Sequence, residues 1–379
     1  MPKVLLALQI FFEKTAKNFS DKIMTTTSSK KRKILFFSAS FWRSAFLKFV
    51  LGRLGWYIVT LWGSLTLAFI VFHLMPGDPM EVLLGNLSRM QVARIGTEQI
   101  VAYYRQLFGL DRPFYIQYLL FFRNVFLRGL DFGPSFMAYP DTARELIFHQ
   151  LPWTLGLFTS AMLISWLLGT VVGVFMGWLR RHKLTTLVTG MMVLLQATPN
   201  YLFGLLLIIY VGYKLQWLPA YGPYDSGLPP AFTWVFIHSL LLHMVLPMLS
   251  LVLVLGAGWA ISMRSLMISV LGEDYLLYAK ARGLMPFAIL KDYAFRNAML
   301  PQLAALAITL GTTLTGTYII EVIFHVPGLG SLFILALGFR DYNVLQGIVI
   351  FSIFAVLTAS LIIDLILPLL DPRIRGFNE

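Results

Sequence analysis

The 379-residue chain is 58% hydrophobic and only 13% charged, with a mean hydropathy of +0.75; soluble domains carry about 25% charged residues, so a water-soluble globule is excluded. Its apolar runs are continuous, which calls for membrane-spanning helices and not for the alternating strands of a membrane β-barrel. The net charge of +12 is concentrated in residues 1–54, where eleven Lys and Arg face two acids, an orientation signal beside a first span rather than a nucleic-acid surface; the absence of cysteine excludes disulfides, thiolate metal sites and cysteine nucleophiles.

In chain order, the apolar run at 4–12 is too short for a secretory signal, and Glu13, Lys14 and Lys17 stand where a small-residue cleavage site belongs. Residues 1–20 read as a short amphipathic or frayed helix and TTTSSKKRK at 25–33 as a linker, within a basic extension (1–53) expected in the cytoplasm. A first span is predicted over 54–76, ended by PGDP at 76–79; about twenty-two residues at 1.5 Å each reach roughly 33 Å, enough to cross. Residues 77–150 hold seven Arg and seven acids and are expected outside, with a helix-like stretch at 97–110. Long loops translocate largely regardless of such charges.

Further spans are predicted at 153–179, 187–210, 240–263, 302–322 and 345–369, all but the first of the six lying in a transmembrane core at 151–370. RRHK at 180–183 closes the second span on the inside, and the fourth ends at Arg264. The Pro-, Gly- and aromatic-rich stretch 214–230 is expected as an outer interfacial loop. Residues 324–342 are too short and interrupted to cross, and are expected outside as a re-entrant or interfacial helix. Six spans place both termini inside, with a cytoplasmic tail at 371–379. The short inner loops hold Arg180, Arg181, Lys183, Arg264, Lys280, Arg282, Lys291 and Arg296, against only Lys214 and Arg340 in the short outer ones.

No constellation for chemistry is evident. The chain has no G-x-x-x-x-G-K-[ST] phosphate loop and no H-E-x-x-H motif. His238 and His243 are five residues apart and out of phase on a helix, which suits interfacial packing. Ser135 in GPS lacks the second glycine of a nucleophile elbow. Catalytic and metal-ligating residues are therefore expected to be absent, as in a conduit.

Within the spans, Gly169, Gly173 and Gly177 recur every four residues and form a stripe against which another helix can pack closely, statically or as a sliding face. LGTTLTGTYIIE at 310–321 places Thr312, Thr313, Thr315, Gly316 and Thr317 in the fifth span; such polar positions face other helices or a wet translocation path. Glu321 and Asp364 are carboxylates at membrane depth. Each requires a partner or water, as a structural anchor or as a substrate contact or gate; Arg340 or a backbone N–H would serve Glu321.

The inner segment 273–301, EDYLLYAKARGLMPFAILKDYAFRNAMLP, carries many charges between two apolar spans. Small Ala279 and Ala281, a glycine break at Gly283 and RNAMLP at 296–301 predict short helices joined by a tight turn. A folded inner loop of this length suits a docking surface, or a folded cap without a partner, better than a simple connection. The segment resembles the EAA loop of ABC-importer permeases in the form carried by the oligopeptide/dipeptide/nickel permease family. The resemblance continues in order through LMPGDP (74–79), FGLDRPFYIQY (108–118), LPAYG (218–222), EDYLLYAKARGL (273–284), RNAMLP, EVIFHVPGLG (321–330), RDYNVLQG (340–347) and DPRIRG (371–376). It covers roughly 54–376, most of the chain. Leu277 and Tyr278 depart from the Glu-Ala-Ala opening of the general motif, and the family does not account for the N-terminal extension.

The resemblance implies an all-α membrane protein with six transmembrane helices of the type I ABC-importer permease kind and an extracytoplasmic insertion between helices 1 and 2. It implies a non-enzymatic permease subunit forming half of a path for peptides. Its inner loop (264–301) would couple to a cytoplasmic ATPase through Glu273, Asp274, Tyr278, Ala279, Lys280, Ala281, Arg282, Gly283, Leu284 and Pro301. A bulky or charged group at Ala279 or Gly283 would hold the helix out of its groove. The implied partners are a second homologous permease, two ATPase subunits that bind ATP and Mg, an extracytoplasmic binding protein and membrane lipid; this chain would hold no cofactor and bind no nucleic acid. Oligosaccharide import on the same architecture is the alternative substrate class. A self-contained secondary transporter or channel is the rival from another class, and it would use Glu321 or Asp364 as a coupling carboxylate.

Overall fold

The computed structural model describes the backbone of residues 32–75, 111–138, 140–312 and 318–370, with side chains for 48–75, 111–138, 140–310 and 318–365. The chain divides into two units, residues 1–58 and 59–379. In the first, α1 (Arg32–Leu74) begins, and the Arg53 guanidinium lies 5.4 Å above the Phe49 ring. The expected PGDP break, the helix at 97–110, residues 25–31 of the expected linker and the tail at 371–379 lie outside the described residues, while Arg32 and Lys33, expected in that linker, open α1 instead.

The second unit is helical: α2 (Phe114–Leu127), α3 (Ala143–Trp178), α4 (Lys183–Ala197), α5 (Asn200–Leu207) running into a π-helical turn (Ile208–Lys214), and α6 (Trp234–Val270). Then follow α7 (Asp274–Ala281), α8 (Pro286–Ala288), a second π-helical turn (Ile289–Phe295), α9 (Arg296–Thr312), α10 (Tyr318–Ile323), α11 (Leu329–Gly338) and α12 (Tyr342–Leu370). Among the described residues, four stretches are long and apolar enough to cross a membrane: Lys48–Leu74, Ala143–Trp178, Trp234–Val270 and Tyr342–Leu365. A fifth arises if α4 and α5 with its π-helical turn form one broken span.

That break is where pattern reading and structure diverge. The uniform span expected at 187–210 is two helices meeting at 99°. Pro199 explains the bend: a residue before proline is pushed out of the helical region, and Thr198 is extended at φ −84°, ψ 125°. Two other helices outrun their predicted limits. α3 starts ten residues before the expected Trp153 because Thr142 opens a capping box: its hydroxyl accepts from Glu145 N–H (3.2 Å), and the Glu145 carboxylate accepts from Thr142 N–H (2.9 Å). α6 passes Arg264 to Val270, so Met263 and Met267 can seat the following loop. At 36 and 37 residues, α3 and α6 are each about 54 Å long, well beyond a ~30 Å hydrocarbon core.

α3 and α6 form the most extensive helix pair. A Cβ placed on Gly169 would meet Trp259 Cβ at 2.6 Å and the Gly256 carbonyl closer still. One on Gly173 would meet Ala260 O at 2.5 Å and Met263 Cβ at 2.7 Å, and one on Gly177 would strike Met267 Cβ. The stripe is thus a backbone-to-backbone seam. α2, unrecognised from sequence, packs on the end of α1 through Phe69 against Phe114, Tyr118 and Phe121, with Thr66 Oγ1 2.9 Å from the Tyr118 hydroxyl.

Candidate functional site

The loop between α6 and α9 is a folded unit. α7 has Asp274 in its first turn and Lys280 in its last, both favourable to the helix dipole. It stops in a full Schellman turn. Gly283 N–H donates to Lys280 O (2.9 Å), Leu284 N–H donates to Ala279 O (3.4 Å), and Gly283 itself sits at φ +76°. Pro286 then opens α8 at a position where its missing N–H costs nothing. Asn297 Nδ2 donates to the Tyr275 hydroxyl and to Tyr293 O, both at 2.9 Å, tying α7 to the base of α9.

Two faces of α7 have opposite surroundings. Leu276 and Ala279, three apart, are buried with Met263, Met267, Ile289, Leu290, Ala294 and Ala298. Ala279 therefore faces the chain's own core, where a larger side chain would meet this protein before any partner. Glu273, Asp274, Lys280, Ala281, Arg282 and Gly283 are exposed, and Leu284 is half-buried. A Cβ on Gly283 would meet nothing within 4 Å, so its constraint is the left-handed backbone and not space. The outward apolar surface consists of Leu277 (67% exposed), Tyr278 (69%), Met285 (76%) and Phe287 (71%). Phe287 and Met285 were missed; the signal was their place beside Pro286 just past a glycine turn. Pro301 is exposed on α9.

Next to Pro301, Gln302 carries no motif that marks it in the sequence. It is fully buried: Nε2 donates to Trp259 O (3.2 Å) and Thr170 Oγ1 (3.4 Å), and Oε1 accepts from Ser262 Oγ (3.1 Å). One amide thus joins α9 to α3 and α6. Thr312 ends the described part of α9, with no side chain described; Thr313, Thr315, Gly316 and Thr317 lie outside the described residues.

Glu321 on α10 is fully buried, and its Oε2 accepts from Gly330 N–H (2.6 Å) at the start of α11. A Cβ on Gly328 would collide with that carboxylate. Thr154 of α3 takes the neighbouring donor, Leu329 N–H, at 2.8 Å. Asp364 is half-buried on α12. At the other end of α11, Asp341 is fully buried in a cluster of donors from residues 135–137. RDYNVLQG contains it, but the residue pattern alone gave no contact across two hundred positions. The 214–233 loop is anchored too: Gly222 N–H donates to Phe324 O (2.9 Å), and Ser239 Oγ donates to Asp225 Oδ2 (2.7 Å).

Long apolar helices with a backbone-close seam, buried polar anchors and a folded loop that leaves apolar side chains exposed define a multi-pass membrane protein. Residues 146–376 match the family described as "Binding-protein-dependent transport system inner membrane component". The chain is 32% identical to the dipeptide transport system permease protein DppB of Bacillus subtilis (strain 168), covering 82% of this chain and 92% of that one. It is also 32% identical to the di/tripeptide transport system permease protein DppB of Pseudomonas aeruginosa (strain UCBPP-PA14), over 87% and 99%, and 31% identical to the glutathione transport system permease protein GsiC of Salmonella paratyphi A (strain ATCC 9150 / SARB42), over 87% and 99%. The chain belongs to the binding-protein-dependent transport system inner membrane component family.

Proposed function

We propose that this chain is one of two permease subunits of an ATP-driven importer of peptides, with 273–301 as its coupling loop. The observation that carries the reading is the two-faced α7. Its inner face is fixed to the end of α6, while Leu277, Tyr278, Met285 and Phe287 are exposed, with nothing among the described residues to cover them. Closure of two ATPase subunits would pull on α7 and, through Met263 and Met267, on α6. The partners are a homologous permease, the ATPases, which hold ATP and Mg, and an extracytoplasmic binding protein. Peptides are the favoured cargo because several relatives are named for di-, tri- and oligopeptides.

In this reading α1, α3, the bent α4–α5 pair, α6, α9 continuing to α10, and α12 are the six crossings. Both termini are cytoplasmic, 77–150 is the outer insertion, and 324–342 lies outside. Glu321 is read as an anchor of α11, and the threonines at 312–317 as the path-facing part of the fifth crossing.

The test is co-purification of the tagged chain with the ATPase subunits encoded in its gene neighbourhood. Wild type is expected to retain them, and Tyr278→Arg or Phe287→Arg to lose most of the bound ATPase at unchanged membrane level. These exposed positions are better probes than Gly283, where any side chain is strained at φ +76°. Retention by both variants would sink the assignment.

A further inference from the structure

Asp341 does two jobs with two oxygens. Oδ1 accepts from Val344 N–H (3.2 Å), which caps the first turn of α12. Oδ2 accepts from Ser135 Oγ (2.5 Å), Phe136 N–H (2.7 Å) and Met137 N–H (3.0 Å), so a turn some two hundred residues earlier closes around the same carboxylate. Ser135 Oγ also accepts from Ala138 N–H (3.1 Å), and Asn343 Nδ2 donates to Pro134 O (2.8 Å). Below this, a Cβ on Gly347 of α12 would fall 2.6 Å from Ile147 Cδ1 and 2.8 Å from Phe132 Cδ2, so α12 lies against both with no side chain between. Glu321 and Thr154 hold the N-terminal end of α11, and Asp341 follows its C-terminal end.

We infer that Asp341 is the positioning residue of the outer face, joining the 133–138 turn, α11 and the start of α12 into one platform on which the binding protein seats. The inference rests on the importer reading, which puts both segments outside. Its physical basis is concentration of charge-assisted bonds. Four donors converge on one buried carboxylate, and hydrogen bonds to a charged group are about twice as strong as neutral ones. No apolar contact of equal size would fix the turn's direction so narrowly. A platform held this way presents both segments in one orientation before the binding protein arrives, so less ordering is left for the docking step. It would also carry a docking force directly into α12.

The discriminating substitution is Asp341→Asn. Asparagine keeps an oxygen for the α12 cap, where it serves as well as aspartate, but presents an NH₂ to three donors. The first arm uses the absence of native cysteine. Spin labels on Pro140→Cys and Leu337→Cys, both exposed, report the distance between the turn and α11 in the nanodisc-embedded complex by double electron–electron resonance. One narrow distribution is expected with Asp341, and a broad one with asparagine. The second arm measures ATP hydrolysis against the concentration of binding protein purified with the ligand it retains. Asp341→Asn should raise the half-saturating concentration about ten-fold and change the maximal rate by less than about two-fold. Ser135→Ala removes one donor and should raise it about two- to three-fold; it carries the test if the asparagine variant is not recovered at wild-type level. An unbroadened distribution overturns the platform, and a broadened one with unchanged half-saturation overturns its docking role. A wild-type complex that binding protein does not stimulate removes the importer reading and the docking role with it, while the first arm still reports the anchor.

Discussion

Adjacent residues in α7 separate two kinds of importance. Tyr278 is 69% exposed and Ala279 is 3% exposed. Ala279→Leu forces extra carbons among Ile289, Leu290 and Ala294, and overpacking of this kind costs about 1–3 kcal/mol. It should lower the unfolding midpoint of the detergent-solubilised chain and speed hydrogen exchange in 274–284. Tyr278→Ala should stay within about 0.5 kcal/mol of wild type in the same assay and act only on partner retention. Equal stability loss in the two variants would contradict the two-faced helix. The residue pattern does not separate these two positions; burial does, since only the exposed one is open to contact from outside the chain.

For helices, the α3–α6 seam makes a sharp comparison between glycines. Gly173→Ala would place a methyl group 2.5 Å from Ala260 O and 2.7 Å from Met263 Cβ, so two backbones must part. The expected cost is about 1–3 kcal/mol, with loss of transport if the seam must also move. Gly190→Ala on α4 meets nothing within 4 Å and should be neutral or stabilising by up to about 1 kcal/mol, because alanine is the better helix former. Thermal unfolding of the two variants side by side checks the difference. Pro199 acts at the same scale: it converts one predicted crossing into two helices at 99°.

Across the whole molecule, the proposed six-crossing arrangement has a direct test in the cysteine-free background. Phe232→Cys, fully exposed in the 214–233 loop, should react with a membrane-impermeant maleimide applied from outside. Arg181→Cys, in the loop between α3 and α4, should react only after the membrane is opened. Labelling of both from one side would overturn the crossing order. The lengths of α3 and α6 belong to this scale as well: at 36 and 37 residues both outrun a ~30 Å hydrocarbon core, and in the proposed topology their ends seat α7 beyond it.

By itself the sequence determined that the chain is a helical membrane protein, where most of its long apolar stretches lie, and that residues 273–301 fold into short helices around a glycine turn. Those properties are local: hydropathy, capping and backbone freedom depend on a residue and its near neighbours. It also marked Glu321 as needing a partner, although the choice between Arg340 and a backbone N–H was open until Gly330 supplied the bond. The tertiary structure alone decided that Ala279 faces inward, that Phe287 and Met285 complete the exposed patch, that Gln302 joins three helices, and that Asp341 holds a turn two hundred residues away. Each of these depends on which side chains meet after the helices pack, and a buried polar group finds its donors by proximity in space, which periodicity along the chain does not encode.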